Sequence, residues 1–298
     1  MITRLIAIAL SVLMTTSAAA DETTLNQTVL KVPIAQKSME EAAEYLKQRA
    51  KALGIQQIAY NPLYKEFKAQ GLTNIRRTEI FQFCDTKIAK ALIEHDISFA
   101  AYLPCRVGLI EDQHKQGWFV MINPMIFNAS IATMPPKLKK QADKVCSTLM
   151  TVIGASPPPA NQPFLSLEQT IVKKPIIDEA EMNDAIESML MRANDLNVKN
   201  VARINLTDKY KALGLPNIRH TEIFQFCDAP TSKKLLDHDV RYIAYMPCRI
   251  ALVEDNEGNG WLVMMKLDSL IPSHLHGQPI ELYDKLKKIL EAGANWDF

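Results

Sequence analysis

Gly71-Leu-Thr-Asn-Ile-Arg-Arg-Thr-Glu-Ile-Phe-Gln-Phe-Cys-Asp85 returns later in the same chain as Gly214-Leu-Pro-Asn-Ile-Arg-His-Thr-Glu-Ile-Phe-Gln-Phe-Cys-Asp228. From Gly71 to Asp112, 25 of 42 positions equal the residue 143 places further on, with no gap. Coincidence does not produce such a match, so the chain is read as one domain written twice. The core of the stretch, Ile75 to Cys84, alternates and is rich in β-branched and aromatic residues, which predicts a strand. Around it, Ser38 to Leu53 has a capping serine, early acidic residues and apolar positions at helical spacing, and Gly54 stops it. Ile55 to Tyr60 is a second predicted strand and Pro62 to Ala69 a short helix. Thr86 to Glu94 is a helix capped by Asp85 or Thr86. Phe99 to Ile110 and Trp118 to Ile122 read as paired strands across the polar turn Glu111 to Gly117, and Pro136 to Ile153 as a closing amphipathic helix.

These elements leave little room for crossovers. The expected class is therefore α+β, with two homologous domains, each a mostly antiparallel sheet with helices packed on one face. The expected boundaries are 28–153 and 171–298, joined by a proline-rich linker at 154–170, and the two copies are expected to pack as an internal pseudo-dimer. Residues 1–20 carry a basic start, an apolar run from Leu5 to Met14 and Ala18-Ala19-Ala20, the order of a cleavable signal peptide. The run falls short of the about 20 apolar residues of a membrane span. Export to the periplasm or beyond, with cleavage near Ala20 and no span in the mature chain, is the expectation.

Composition fits ordinary globular domains, at 48% apolar and 22% charged. Removing Arg4 with the leader leaves acidic and basic residues balanced, and no basic run marks a nucleic-acid surface. Nothing has the spacing of a nucleophile and base, a phosphate loop or a zinc hydrolase.

Ile80-Phe81-Gln82-Phe83-Cys84, then Leu103-Pro104-Cys105-Arg106-Val107 leading to an acidic turn and Gly117-Trp118, resembles the bacterial family catalogued as domain of unknown function 302. Ile223 to Cys227, Met246 to Ile250 and Gly260-Trp261 repeat the pattern. The resemblance implies an α+β fold that tends to pair and carries no settled activity. Many members of that family lack the two cysteines, so this chain resembles a cysteine-bearing branch.

Cys84 with Cys105, and Cys227 with Cys248, stand at matching places in the two copies, whereas Cys146 is matched by Ile289. In an oxidising compartment such pairs are expected to be structural disulfides. A redox pair is the alternative, with Arg106 and Arg249 beside the second cysteine of each. Metal binding, with His95 and His238 as weak candidates, or noncovalent haem is a second alternative; no cofactor is expected. Strand alternation sends Arg106 and Arg249 to the face opposite their cysteine neighbours, where they pair with Glu79 or Glu111 and Glu222 or Glu254, or hold an anionic ligand. Arg106, Arg249, Glu79 and Glu222 are thus the candidate ligand-binding residues. Asp85 and Asp228 are expected as helix caps, Trp118 and Trp261 as core, and His274-Leu-His276 as weak metal evidence. The expected function is a non-catalytic binding or accessory protein for a small ligand or periplasmic partner.

Overall fold

A computed structural model describes residues 25–36, 38–156, 166–177, 181–270 and 278–295. The leader at 1–20, His274 and His276, and much of the expected linker lie outside the described residues. No helix among the described residues is long and apolar enough to cross a membrane.

The first copy runs β1 (Val29–Pro33), α1 (Met39–Ala52), β2 (Gln56–Asn61), α2 (Leu63–Ala69), β3 (Thr78–Cys84), α3 (Thr86–His95), β4 (Cys105–Glu111), β5 (Gly117–Ile122), α4 (Asn128–Ala132) and α5 (Pro136–Ile153). Its second counterpart runs β6 (Ile171–Pro175), α6 (Met182–Asp195), β7 (Lys199–Asn205), α7 (Leu206–Ala212), β8 (Thr221–Cys227), α8 (Ala229–His238), β9 (Cys248–Glu254), β10 (Gly260–Met265) and α9 (Gln278–Asn295). Each copy folds into a five-stranded antiparallel sheet, ordered β1-β5-β4-β3-β2 and β6-β10-β9-β8-β7. The α+β class with two similar units is as expected.

Helix α1 starts where Ser38 accepts a hydrogen bond from the Glu41 amide at 3.1 Å, with Glu40 and Glu41 at its positive end and Arg49 and Lys51 at its negative end. It stops at Gly54, whose φ of 78° suits a residue without a side chain. Its apolar stripe, Met39, Ala42, Leu46 and Ala50, packs with Leu149, Val152 and Ile153 of α5 over Phe81, Phe83, Val107, Leu109 and Phe119. Each large side chain so buried stabilises the fold by about 1.5–3 kcal/mol. Every second residue of β3 and β4 points the other way, and Ile80, Cys84, Arg106, Gly108 and Ile110 form that opposite face.

That opposite face meets the second copy. The 3-10 turn Val240–Tyr245 packs on β4 and β5, and its counterpart Ile97–Ala101 packs on β9 and β10. Helix α2 lies against α8, and α3 against α7. Gly108 makes the approach possible: a Cβ there would lie 2.6–2.8 Å from three side-chain atoms of Ile243. In the reciprocal place the residues are Ala251 and Ala100, so a large–small pair faces a small–small one. The centre is a closed amide pair, Gln82 Nε2 donating to Gln225 Oε1 at 2.9 Å and Gln225 Nε2 to Gln82 Oε1 at 2.8 Å, both side chains fully buried. At the rim, Arg76 reaches Asp237 at 2.8 Å and Lys199 reaches Glu66 at 2.9 Å. One apolar cluster runs from Ile80, Ile110 and Val120 of the first sheet through Ile223, Phe224 and Ile250 of the second to α6 and α9.

Two elements of the sequence-based reading are corrected by the fold. Phe99 to Ile110 is not one strand: Asp96 caps the 3-10 turn, accepting from the Ser98 amide at 2.8 Å, and pairing begins only at Cys105. Trp118 and Trp261 are half-buried rather than core, because each indole N–H donates to the acidic turn, to Asp112 Oδ2 at 2.8 Å and Asp255 Oδ2 at 2.7 Å.

Candidate functional site

All five cysteines carry free thiols in the structure, so the expected bridges do not appear. Within the first pair the two thiols start from opposite faces of the sheet. Cys105 lies opposite Phe83 and shares its face, while Cys84, one residue on, points to the other. Cys248 lies opposite Phe226 in the same way, and, after burial, Cys227 still adds to the rise in its pKa. Burial pushes every thiol up: Cys105 to about 11, and Cys146, Cys227 and Cys248 to about 12. Cys84 is raised further for the same reason, with Cys105 adding to the effect.

Arg106 and Arg249 do point away from their cysteine neighbours, but their expected pairing with glutamates is corrected. Glu79 lies on the helix-covered face and takes Arg77 Nε at 2.8 Å, and Glu222 takes Arg203 Nη2 at 2.8 Å with His220 at 3.5 Å. The arginines instead cross into the other copy. Arg106 Nη1 donates to the carbonyls of Tyr245 at 3.1 Å and Pro247 at 2.5 Å, and Arg249 Nη1 to that of Pro104 at 2.7 Å. Both are deeply buried, at 5% and 2% exposure. Desolvation lowers Arg106 to about 10; burial, then the Arg106 charge, depresses Arg249. Glu111 and Glu254 sit at the far ends of β4 and β9.

Cys84, Cys105 and Cys146 line one cavity of the first copy, between the sheet end, α3 and α5. Its wall is largely apolar, from Ile88, Leu92, Phe99, Phe127, Ile131 and Leu149, with Asp85, Tyr102 and Arg106 as polar members. The empty volume is about 790 Å³ including the open mouth, and the centre of a water can range over about 70 Å³ of it. One water needs roughly 10–15 Å³ by that measure, so a small organic molecule has room.

The corresponding place in the second copy carries different side chains. Ala142 becomes Lys285, whose ammonium reaches Asp228 Oδ2 at 2.8 Å, whereas Asp85 only caps its helix, accepting from the Lys87 and Ile88 amides at 3.1 Å. Lys139, Asp143 and Cys146 become the buried Leu282, Leu286 and Ile289. Gly293 lets α9 tuck in, since a Cβ there would meet Met189 Cγ at 2.5 Å and the Ala185 carbonyl oxygen at 3.0 Å. Met150, its counterpart, is too large for so close an approach of α5 to α1.

The Asp228–Lys285 pair carries a pH signature. Burial opposes the Asp228 charge, but Lys285 and the Thr231 amide outweigh it and hold the carboxyl below its usual range. A depressed carboxyl stabilises the fold above its unfolded pKa of about 3.9 and loses that contribution as pH falls through the folded value. Lys285→Met is expected to cost about 1 kcal/mol at pH 7 and to flatten stability between about pH 3 and 5, as read by urea unfolding. An unchanged acid limb would show the pair to be inert.

His95 and His238 stand in the last turns of α3 and α8, and among the described residues no group of three His, Cys, Asp or Glu is placed to hold a metal. Sequence reasoning missed Gln82, Gln225, Tyr102 and Ala142. A glutamine between phenylalanines in a strand was the available sign for the amide pair, and the unlike closing helices were the sign for the cavity.

The model of the family described as "Domain of unknown function DUF302" matches residues 30–156 and 176–293. The chain belongs to the DUF302 family. The first matched segment spans the first sheet from the second residue of β1, and the second spans β7 to β10 but begins just after β6. No curated protein matches the chain. The crystal structure of an uncharacterized conserved DUF302 protein from Bacillus stearothermophilus is similar, with 17% identity and a TM-score of 0.37, over 43% of this chain and 96% of that one.

Proposed function

We propose that this tandem DUF302 protein is an exported, non-catalytic binding protein whose first copy holds a small, mainly apolar ligand while the second serves as its structural partner. The observation that carries the reading is the open, largely apolar cavity beside α5, where the second copy instead places the Asp228–Lys285 ion pair beneath α9. The leader at 1–20 supports export, and the periplasm-purified protein is expected to begin at Asp21. The thiol–disulfide alternative is less favoured, because a reactive cysteine needs a lowered pKa and burial raises all five.

Calorimetry with 1-octanol as a neutral apolar probe tests this. One molecule should bind per chain, and Ala142→Trp, which places a large ring in the cavity, should weaken binding at least tenfold while the circular dichroism spectrum is kept. If octanol does not bind, or binds Ala142→Trp as well as the parent, the cavity is not a ligand site.

A further inference from the structure

Arg106 and Arg249 are a pair of buried cations with too few acceptors. The hydrogen bonds of each go through Nη1 to backbone carbonyls, and Met265 Sδ lies only at 4.0 Å from Arg106 Nη2. Arg106 Nε, Arg249 Nε and Arg249 Nη2 have no hydrogen-bond partner. Among the described residues no carboxylate forms an ion pair with either guanidinium; the nearest titratable neighbours are the thiols of Cys105 and Cys248 and the phenols of Tyr102 and Tyr245. Guanidinium keeps its charge at neutral pH, so the interface buries two like charges without a counter-charge. A buried charge is normally paired, because taking it out of water is costly.

Arg106 forms part of the wall of the first-copy cavity, whose lining does not include Arg249. Next to an otherwise apolar lining, a planar donor with an unused N–H is suited to the flat, two-oxygen head of a carboxylate. The other polar wall groups agree. Tyr102, its phenol raised to about 12 by burial, stays a neutral donor, and Asp85 is engaged by amides of α3.

We infer that the ligand of the first-copy cavity is an amphipathic carboxylate, its apolar body held between α3 and α5 and its head supplying the counter-charge that Arg106 and Arg249 lack. This rests on the cavity being a ligand site, and it adds the chemical class of the ligand. It also gives the two copies distinct parts: the first supplies the apolar wall and Arg106, and the second supplies the carbonyls that aim Arg106 and, outside the lining, the neighbouring charge of Arg249.

Octanoate compared with 1-octanol, a neutral molecule of the same chain length, separates the two ideas on the intact mature chain at pH 7 and low chloride. Octanoate is expected to bind one per chain and at least tenfold more tightly than octanol. In Arg106→Met that preference should vanish, and Arg249→Met should reduce it. Equal affinity for the two molecules in the parent, a comparison that needs no variant, would overturn the carboxylate assignment and leave the cavity standing. A preference that survives in both variants would overturn the role of the arginines. Binding of neither molecule would remove both the cavity reading and this one.

Discussion

Gly108→Val is expected to lose more than about 3 kcal/mol of stability and to loosen the two copies from each other. Adding even one methylene to a packed interior costs about 1–3 kcal/mol, and here the first added atom already lies 2.6–2.8 Å from Ile243 atoms, with two further methyls behind it. Neither side can retreat easily. Gly108 is paired with Ile80 in β3 and Val120 in β5, and Ile243 is itself fully buried. Ile243→Ala in the same chain should restore most of the loss, because it recreates the small–small contact that Ala100 and Ala251 suggest on the reciprocal side. A double-mutant cycle by urea unfolding measures the coupling. If the losses simply add, the two residues do not meet.

Phe81→Ala is expected to cost about 3–5 kcal/mol, the range for emptying a buried aromatic site. Phe81 is fully buried beneath α1 and α5, and its ring centroid lies 5.0 Å from that of Tyr60. The informative part is how the loss is distributed. Because the apolar cluster at the interface continues into the core of the second copy, neither sheet keeps its inner face covered when the other unfolds. Calorimetry should therefore show a single transition that moves to lower temperature as a whole, with near-ultraviolet signals of both copies lost together. Two resolved transitions in the variant, one at the parental temperature, would mean that the copies are thermodynamically separate domains.

Local chemistry made much of the fold legible. Ser38 and Gly54 marked both ends of α1, Pro136 opened α5, and the alternation through Ile80, Phe81, Gln82 and Phe83 marked β3. Strand β1 escaped notice because five residues, Val-Leu-Lys-Val-Pro, carry a weak signal until they pair with β5 at the sheet edge. The region after α3 was misread because the apolar run from Phe99 continues into β4, whereas Phe99 to Ala101 belong to a 3-10 turn that Asp96 caps.

The site was legible in parts. Alternation sends Arg106 to the face opposite Cys105, but what awaits it there belongs to the other copy and is invisible to local reasoning. The same parity rule, carried one strand further, would have set Cys84 and Cys105 on opposite faces, since their separation fixes sides only once the register Phe83 to Cys105 is known. The cavity came from a contrast that the sequence does contain. At the same offset that reveals the duplication, Lys139, Ala142, Asp143 and Cys146 stand against Leu282, Lys285, Leu286 and Ile289.

The contact of Gly108 with Ile243 bears on what joining the halves by a peptide chain makes possible. In an assembly of identical subunits every mutation occurs on both sides of the axis, so a bulky residue on one side cannot be matched by a void on the other without the reverse mismatch appearing as well. Covalent fusion lifts that constraint. Each side of the axis can then drift alone, one towards a solid support and the other towards an open chamber, while the seam between them stays closed.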